Sequence, residues 1–303
     1  MPSALQHDIT LIGAPTDAGG GRPGAGQGPQ ALRAAGLSAA LQKLGWQVHD
    51  NGDLKGPPNP QRPPQDGYRH LDEVIAWNQI VHDAVLTELA QGRLPLLLGG
   101  DHSLAIGSLS AVARHCRAAG KTLRVLWLDA HADCNSRRTS PSANLHGMPL
   151  ACLRGVGPAA LTGLSGAVPA LAADAVRQIG VRSVDAGEVA LVHELGLTVF
   201  DMTALHTLGM REVMARALAG VDAQTHLHLS FDVDFLDPGL APGVATTVRD
   251  GPTLAEARLC MQAIAASGRL GSLDVVELNP LLDEHQRTAA LAVDLVATLF
   301  GAS

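Results

Sequence analysis

Aromatic side chains are scarce in this sequence of 303 residues: four Phe, three Trp and one Tyr, 3% in all. Leu, Val and Ala must therefore fill its core. Cysteines are few as well. Cys116, Cys134, Cys152 and Cys260 form no CxxC pair and no secreted disulfide framework, which points to a reduced protein of the cytoplasm. The segment Met1 to Asp8 has neither a basic start nor an apolar stretch, so no signal peptide is expected. No apolar run reaches the roughly 18 residues of a membrane span. Positive charge is also in deficit. The formal net charge of −7 speaks against nucleic acid or an anionic membrane as a partner.

What the chain does have is a globular balance, with 46% apolar and 17% charged residues, which excludes disorder. Its length would allow two domains, but no linker, repeat or charge block divides it. One domain over residues 1–303 is expected. Apolar runs predict strands at 9–14, 46–49, 95–98, 123–128, 176–181, 197–200, 226–231 and 273–277. Several are apolar throughout rather than alternating, as strands covered on both faces should be. Helical patterns fall between them at 30–44, 71–91, 103–119, 253–267 and 284–299, with Pro29 suited to a helix start and Ser103 to an N-cap. Such alternation predicts an α/β fold with a mainly parallel sheet of about eight strands, flanked by helices on both faces. Loops are expected at the Gly-rich 19–28, the Pro-rich 52–67 and the polar 135–144.

Four short segments each follow an apolar run. They are Gly-Gly-Asp-His-Ser at 99–103, Asp-Ala-His-Ala-Asp at 129–133, Ser-Phe-Asp-Val-Asp at 230–234 and Val-Glu-Leu-Asn-Pro at 276–280. In open parallel sheets, ligands bind beyond the carboxyl ends of the strands, where all four lie. Extended chain points residues i, i+2 and i+4 the same way. Asp129, His131 and Asp133 should therefore converge, as should Asp232 and Asp234, with His102 brought in by a Gly-Gly turn. Cys134 has the opposite parity and is not expected to be a ligand. Four carboxylates and two imidazoles suit hard divalent ions such as Mn²⁺ or Mg²⁺ better than Zn²⁺ or copper. Six ligands exceed what one ion with an open position needs, so two ions bridged by carboxylates fit better. Taken singly, each segment could be an ordinary turn or helix cap, with Asp101 or Ser103 as the cap. Three of them after three strands make coincidence improbable. His146 apart, the remaining histidines (His7, His49, His70, His82, His115, His193, His206, His226, His228 and His285) are expected at the surface or in packing.

In this order and spacing the four segments resemble the ureohydrolase family of arginases, agmatinases, guanidinobutyrases and formiminoglutamases. The resemblance begins at Gly13-Ala14-Pro15 and runs to the last helix. It implies an arginase-like fold and two Mn²⁺ per chain, with Co²⁺ or Ni²⁺ possible, held by His102, Asp129, His131, Asp133, Asp232 and Asp234. It also implies attack of a metal-bridging hydroxide on a guanidinium carbon. Asp133 would orient the hydroxide, Glu277 would pair with the guanidinium, and His146 would shuttle the proton that the leaving amine needs. Within the family the chain is most similar to bacterial-type arginases. Asn135, Ser140 and Ser142 match positions that contact the substrate α-carboxylate. Asp185 and Glu188 match those that hold its α-amino group, and Thr246 lines the pocket. The substrate implied is L-arginine, cleaved to L-ornithine and urea; agmatine, guanidinobutyrate and formiminoglutamate are the alternatives. Relatives form trimers or hexamers, so a homo-oligomer is implied. A deacetylase-like relative would resemble a one-zinc version, and a non-catalytic binding member would have no use for the complete set.

The stretch 242–251 departs from the family pattern. Ala245 stands in place of Gly, Thr247 in place of Pro and Asp250 in place of Gly, so a less rigid loop is expected. Arg137 and Arg138 in the substrate loop are expected to bias the entrance toward carboxylate-bearing substrates.

Overall fold

The computed structural model describes residues 8–301. The expected strands are all present. They are β1 (Asp8–Ala14), β2 (Gln47–Asp53), β3 (Leu94–Gly99), β4 (Thr122–Leu128), β5 (Val176–Ile179), β6 (Thr198–Phe200), β7 (Thr225–Asp232) and β8 (Leu270–Val276). They form one sheet in the order β2-β1-β3-β8-β7-β4-β5-β6, and every pairing is parallel.

The apolar runs are explained by a strict division of side chains between two faces. Leu94, Leu96 and Leu98 of β3 pack into one core, while Leu97 packs into another on the opposite side. On β4, Leu126 and Leu128 join the first core, and Val125 and Trp127 face away from it. The first face is covered by α1 (Gly28–Ala34), α2 (Leu37–Lys43), α9 (Met210–Ala217), α10 (Leu254–Ser267) and α11 (Arg287–Leu299). The other is covered by α3 (Leu71–Ala90), α4 (Ala105–Ala119) and α5 (Pro149–Leu153). Each fully buried Leu contributes roughly 2 kcal/mol by leaving water. No helix among the described residues is long and apolar enough to cross a membrane.

The helix expected at 30–44 is two helices. Gly36 takes φ of 87° between them, a left-handed conformation that ends one helix and admits the next at a new angle. Ser103 is not the cap of the following helix. Asp101 accepts the Ser103 N–H at 3.0 Å, and a 3₁₀ turn, His102–Leu104, precedes α4. β2 extends to Asp53 although its residues are polar, because it is an edge strand bonded only to β1. Five helices have no counterpart in the sequence reading: α5, α6 (Ala159–Thr162), α7 (Ala186–Glu194), α8 (Met202–Leu208) and α9. Among the other histidines, His70, His82, His226 and His228 are buried, while His49, His193, His206 and His285 are exposed. His7 lies outside the described residues.

Candidate metal centre

The site is built at the carboxyl ends of β3, β4, β7 and β8, which are neighbours in the sheet. β3 leaves through Gly99 and Gly100. A Cβ on Gly100 would lie 1.6 Å from the Thr16 carbonyl oxygen, so only glycine allows this bend. Asp101 then pins the turn by accepting N–H groups from Ser103 and Gly19, the latter at 2.8 Å. Burial, and then the nearby Glu277 charge, push its carboxyl up to about 6.

His102 follows, buried and stacked on Trp127 with ring centroids 4.2 Å apart. Its Nε2 meets Ser230 Oγ at 2.8 Å, which leaves Nδ1 to face the carboxylates. Nδ1 lies 3.0 Å from oxygens of Asp133 and Asp232 and 3.2 Å from Asp129. On the other side, His131 Nδ1 lies 3.0 Å from Asp234 and 3.5 Å from Asp129. Asp129 is thus shared by two groups able to hold an ion: His102, Asp129 and Asp133, and Asp129, His131 and Asp234.

Backbone N–H groups orient these carboxylates. Asp129 accepts from His131 N–H at 2.7 Å and from Trp127 Nε1 at 2.8 Å. Asp232 accepts from Asp234 N–H at 2.7 Å, which closes the 3₁₀ turn Val233–Phe235. Asp234 accepts from Ala130 N–H at 3.1 Å and from Thr246 Oγ1 at 3.0 Å. Asp133 departs from the expected extended run. Its φ is 49°, so the chain turns there and its carboxylate swings under His102.

The electrostatics are those of a cation site. Burial, and then the neighbouring carboxylates, push Asp133 up to about 7 and Asp232 well above its ordinary range. Burial opposes the charge on His131, yet Asp234 and Asp129 hold its pKa up at about 12. Four carboxylates this close cannot all ionise without positive charge among them. His102 Nδ1 and Asp133 Oδ2 have no hydrogen-bond partner although both are buried. Unpaired donors of oxygen and imidazole type, facing one another, fit hard divalent cations.

A cavity of about 220 Å³ opens at this cluster, and all the predicted site residues line it except Asp129, which is fully buried. Glu277 directly follows β8, with φ of 64°. Its N–H donates to Gly100 O and its Oε1 accepts the His102 N–H, both at 2.8 Å, so the β3 turn fixes this strained residue. The same oxygen meets His146 Nδ1 at 2.9 Å. Burial opposes the charge on His146, but Glu277 raises its pKa to about 9.

Asn135, Ser140 and Ser142 form one wall. Ser140 Oγ accepts the Ala143 N–H and Ser142 Oγ the Asn144 N–H; the two hydroxyls also meet each other at 3.5 Å, so one donates to the other and the second hydroxyl hydrogen is left to donate into the cavity. Asn135 Nδ2 donates to Asp185 at 3.0 Å. Glu188 lines the cavity and also braces its wall: its Oε1 accepts the Cys134 N–H and its Oε2 the Asp185 N–H. Arg137 and Arg138 do not line this cavity; they border a neighbouring groove with Tyr68 and Glu194. Ser230, Trp127 and Asn144 were not singled out from sequence. For Ser230 a signal existed, since it precedes Asp232 by two on one face of β7.

The Arginase family model matches residues 7–301 of the chain. The arginase of Brevibacillus brevis is 40% identical over 98% of this chain and 99% of its own length. The solved arginase structure from Bacillus caldovelox superposes with a TM-score of 0.92 at 41% identity, covering 98% of this chain and 99% of that one. A hypothetical agmatinase from Burkholderia thailandensis superposes with a TM-score of 0.74 at 26% identity, covering 97% and 84%.

Proposed function

The chain belongs to the arginase family, and on that footing we propose that it hydrolyses L-arginine to L-ornithine and urea, using two Mn²⁺ ions. It is a metal-dependent ureohydrolase acting on a small guanidino compound. The observation that carries the choice of substrate is the set of polar groups that one cavity brings together. The Ser140–Ser142 pair offers a hydroxyl donor, Asn135 an amide and Asp185 a carboxylate, while Glu277 stands near the metal cluster. A zwitterionic head group needs donors for its carboxylate and an acceptor for its ammonium. Agmatine would leave the donors unused.

His102, Asp129, His131, Asp133, Asp232 and Asp234 would hold the ions, and the same donors suit Co²⁺ or Ni²⁺. When bound, such a pair supplies a water acidified toward neutral pH. Four aspartates balance two divalent charges, so Glu277 leaves the cavity attractive to a cation. Asp133 would accept a hydrogen bond from the attacking water and orient it. Glu277 holds the guanidinium and fixes its carbon. His146 carries a proton at rest because Glu277 is its partner. Once the substrate guanidinium takes that partner, the imidazolium becomes more acidic and can protonate the departing δ-nitrogen of ornithine. Thr246 and Glu188 keep Asp234 and the head-group wall in place.

Buried cysteines without disulfides support the cytoplasm as its compartment. A homo-oligomer, trimer or hexamer, is part of the same reading. The test is urea release by Mn²⁺-loaded protein with L-arginine, agmatine and 4-guanidinobutyrate in parallel. A preference for L-arginine of roughly 100-fold or more is expected of a site built to bond its head group. Equal turnover of all three, or preference for another compound, would overturn the reading.

A further inference from the structure

Arg182 stands just past β5 and makes no ion pair among the described residues; backbone carbonyls satisfy its guanidinium instead. Nη2 donates to Asp234 O at 2.9 Å, Val248 O at 3.0 Å and Leu236 O at 3.2 Å. Nη1 donates to Phe235 O at 3.0 Å and Gly180 O at 3.1 Å, and Nε reaches Val248 O and Arg249 O. Its own backbone N–H donates to Ala130 O at 2.8 Å. One residue therefore ties the Asp129–Asp133 segment, the turn that carries Asp234 and the loop that carries Thr246.

Glycines make room for this clasp. A Cβ on Gly251 would lie 2.7 Å from Arg182 Nη2, and one on Gly180 would strike the Phe235 ring. The tied loop is the one that carries Ala245 and Thr247, and its Asp250 sits at φ of 65°, a left-handed conformation that favours glycine. The clasp restrains this loop through the Val248 and Arg249 carbonyls.

The support is one-sided. Asp234 and His131 belong to the second metal group, and Thr246 bonds Asp234. Of the first group, Asp129 is shared and Asp133 follows the segment held by the Arg182 backbone N–H, a bond that a change of side chain leaves in place. His102 is set by the β3 turn and stacks on Trp127, neither of which Arg182 touches. We propose that Arg182 is a positioning residue that sets the affinity of the second metal position while leaving the first unchanged. This rests on the two-ion reading above.

The experiment compares the full-length wild type with Arg182→Ala and Arg182→Lys. Mn²⁺ binding is followed by titration calorimetry and by metal content after dialysis. Wild type should bind two ions. The Ala variant should keep the first and bind the second roughly 10–100-fold more weakly, the usual cost of losing an outer support. Its turnover should return as Mn²⁺ is raised. The Lys variant should recover only part of the affinity, because one ammonium cannot serve six carbonyls. If the Ala variant does not fold, the Lys titration decides alone. Equal weakening of both ions, or an unchanged second ion, would overturn the assignment. A wild type that binds a single ion would overturn the two-ion reading and the assignment with it.

Discussion

Acid should destabilise this protein through a histidine far from the candidate metal centre. His226 is buried near the start of β7, with Nε2 2.8 Å from Ser272 Oγ. That hydroxyl also meets His228 Nδ1 at 2.8 Å. Gly271 leaves the space for the ring, since a Cβ there would lie 2.4 Å from it. The charged neighbours that act on His226 are His228, His115 and Lys121, all cationic or able to become so. Burial first, and then these charges, push its pKa down to about 3. In the unfolded chain the ring titrates near 6.5. Between these values the unfolded chain binds a proton that the folded chain refuses, so stability falls as pH drops below 6.5. From about pH 7 to about pH 5 the loss amounts to roughly 2 kcal/mol. The carboxylates and other imidazoles also titrate, so the quantity to measure is a difference between proteins. Urea denaturation of wild type and His226→Gln at both pH values supplies it. The variant should be less acid-sensitive by about 2 kcal/mol, whatever its stability at neutral pH. If both proteins lost the same amount, the buried ring would be accepting its proton in the fold, and the argument from desolvation would fail.

Two further predictions concern the site. Stripping divalent ions with a chelator should lower the melting temperature by several degrees, because four clustered aspartates lose their counter-charge; an unchanged calorimetric transition would count against a cation site. His146→Asn should lower kcat roughly 100-fold while leaving metal content intact. Turnover at the wild-type level would remove His146 from the proton-transfer role.

The metal cluster was legible because its residues announce themselves locally. Asp129, His131, Asp232 and Asp234 each stand within a few positions of an apolar strand end, and the strands themselves read as unbroken apolar runs. Less legible was anything decided by distant contacts. β2 is polar because only one of its edges is bonded, a fact of topology. Asp133 was expected in extended chain, yet its left-handed turn is what brings it to His102. That Glu188 also braces the wall is visible only when the N–H groups of Cys134 and Asp185 are found on its two oxygens. Arg182 carries no sequence signal at all, since its partners are carbonyls from residues 180 to 249. The direction taken by Arg137 and Arg138 depends on the packing of Tyr68 and α7, which no local pattern encodes.

The strand order bears on how the molecule is made. β8 is the last strand in the chain but lies near the middle of the sheet, between β3 and β7. Before it inserts, the sheet is two pieces, β2-β1-β3 and β7-β4-β5-β6. Asp129, His131 and Asp234 already stand together on the second piece, whereas His102 waits on the first. Five of the six candidate ligands, Asp133 and Asp232 included, can therefore assemble before β8 is in place, and His102 joins them last. The facing edges of β3 and β7 meanwhile expose unpaired backbone N–H and C=O groups between apolar side chains, which invites pairing with other chains. A chain slow to place β8 is therefore an aggregation hazard before it is ever a poor catalyst.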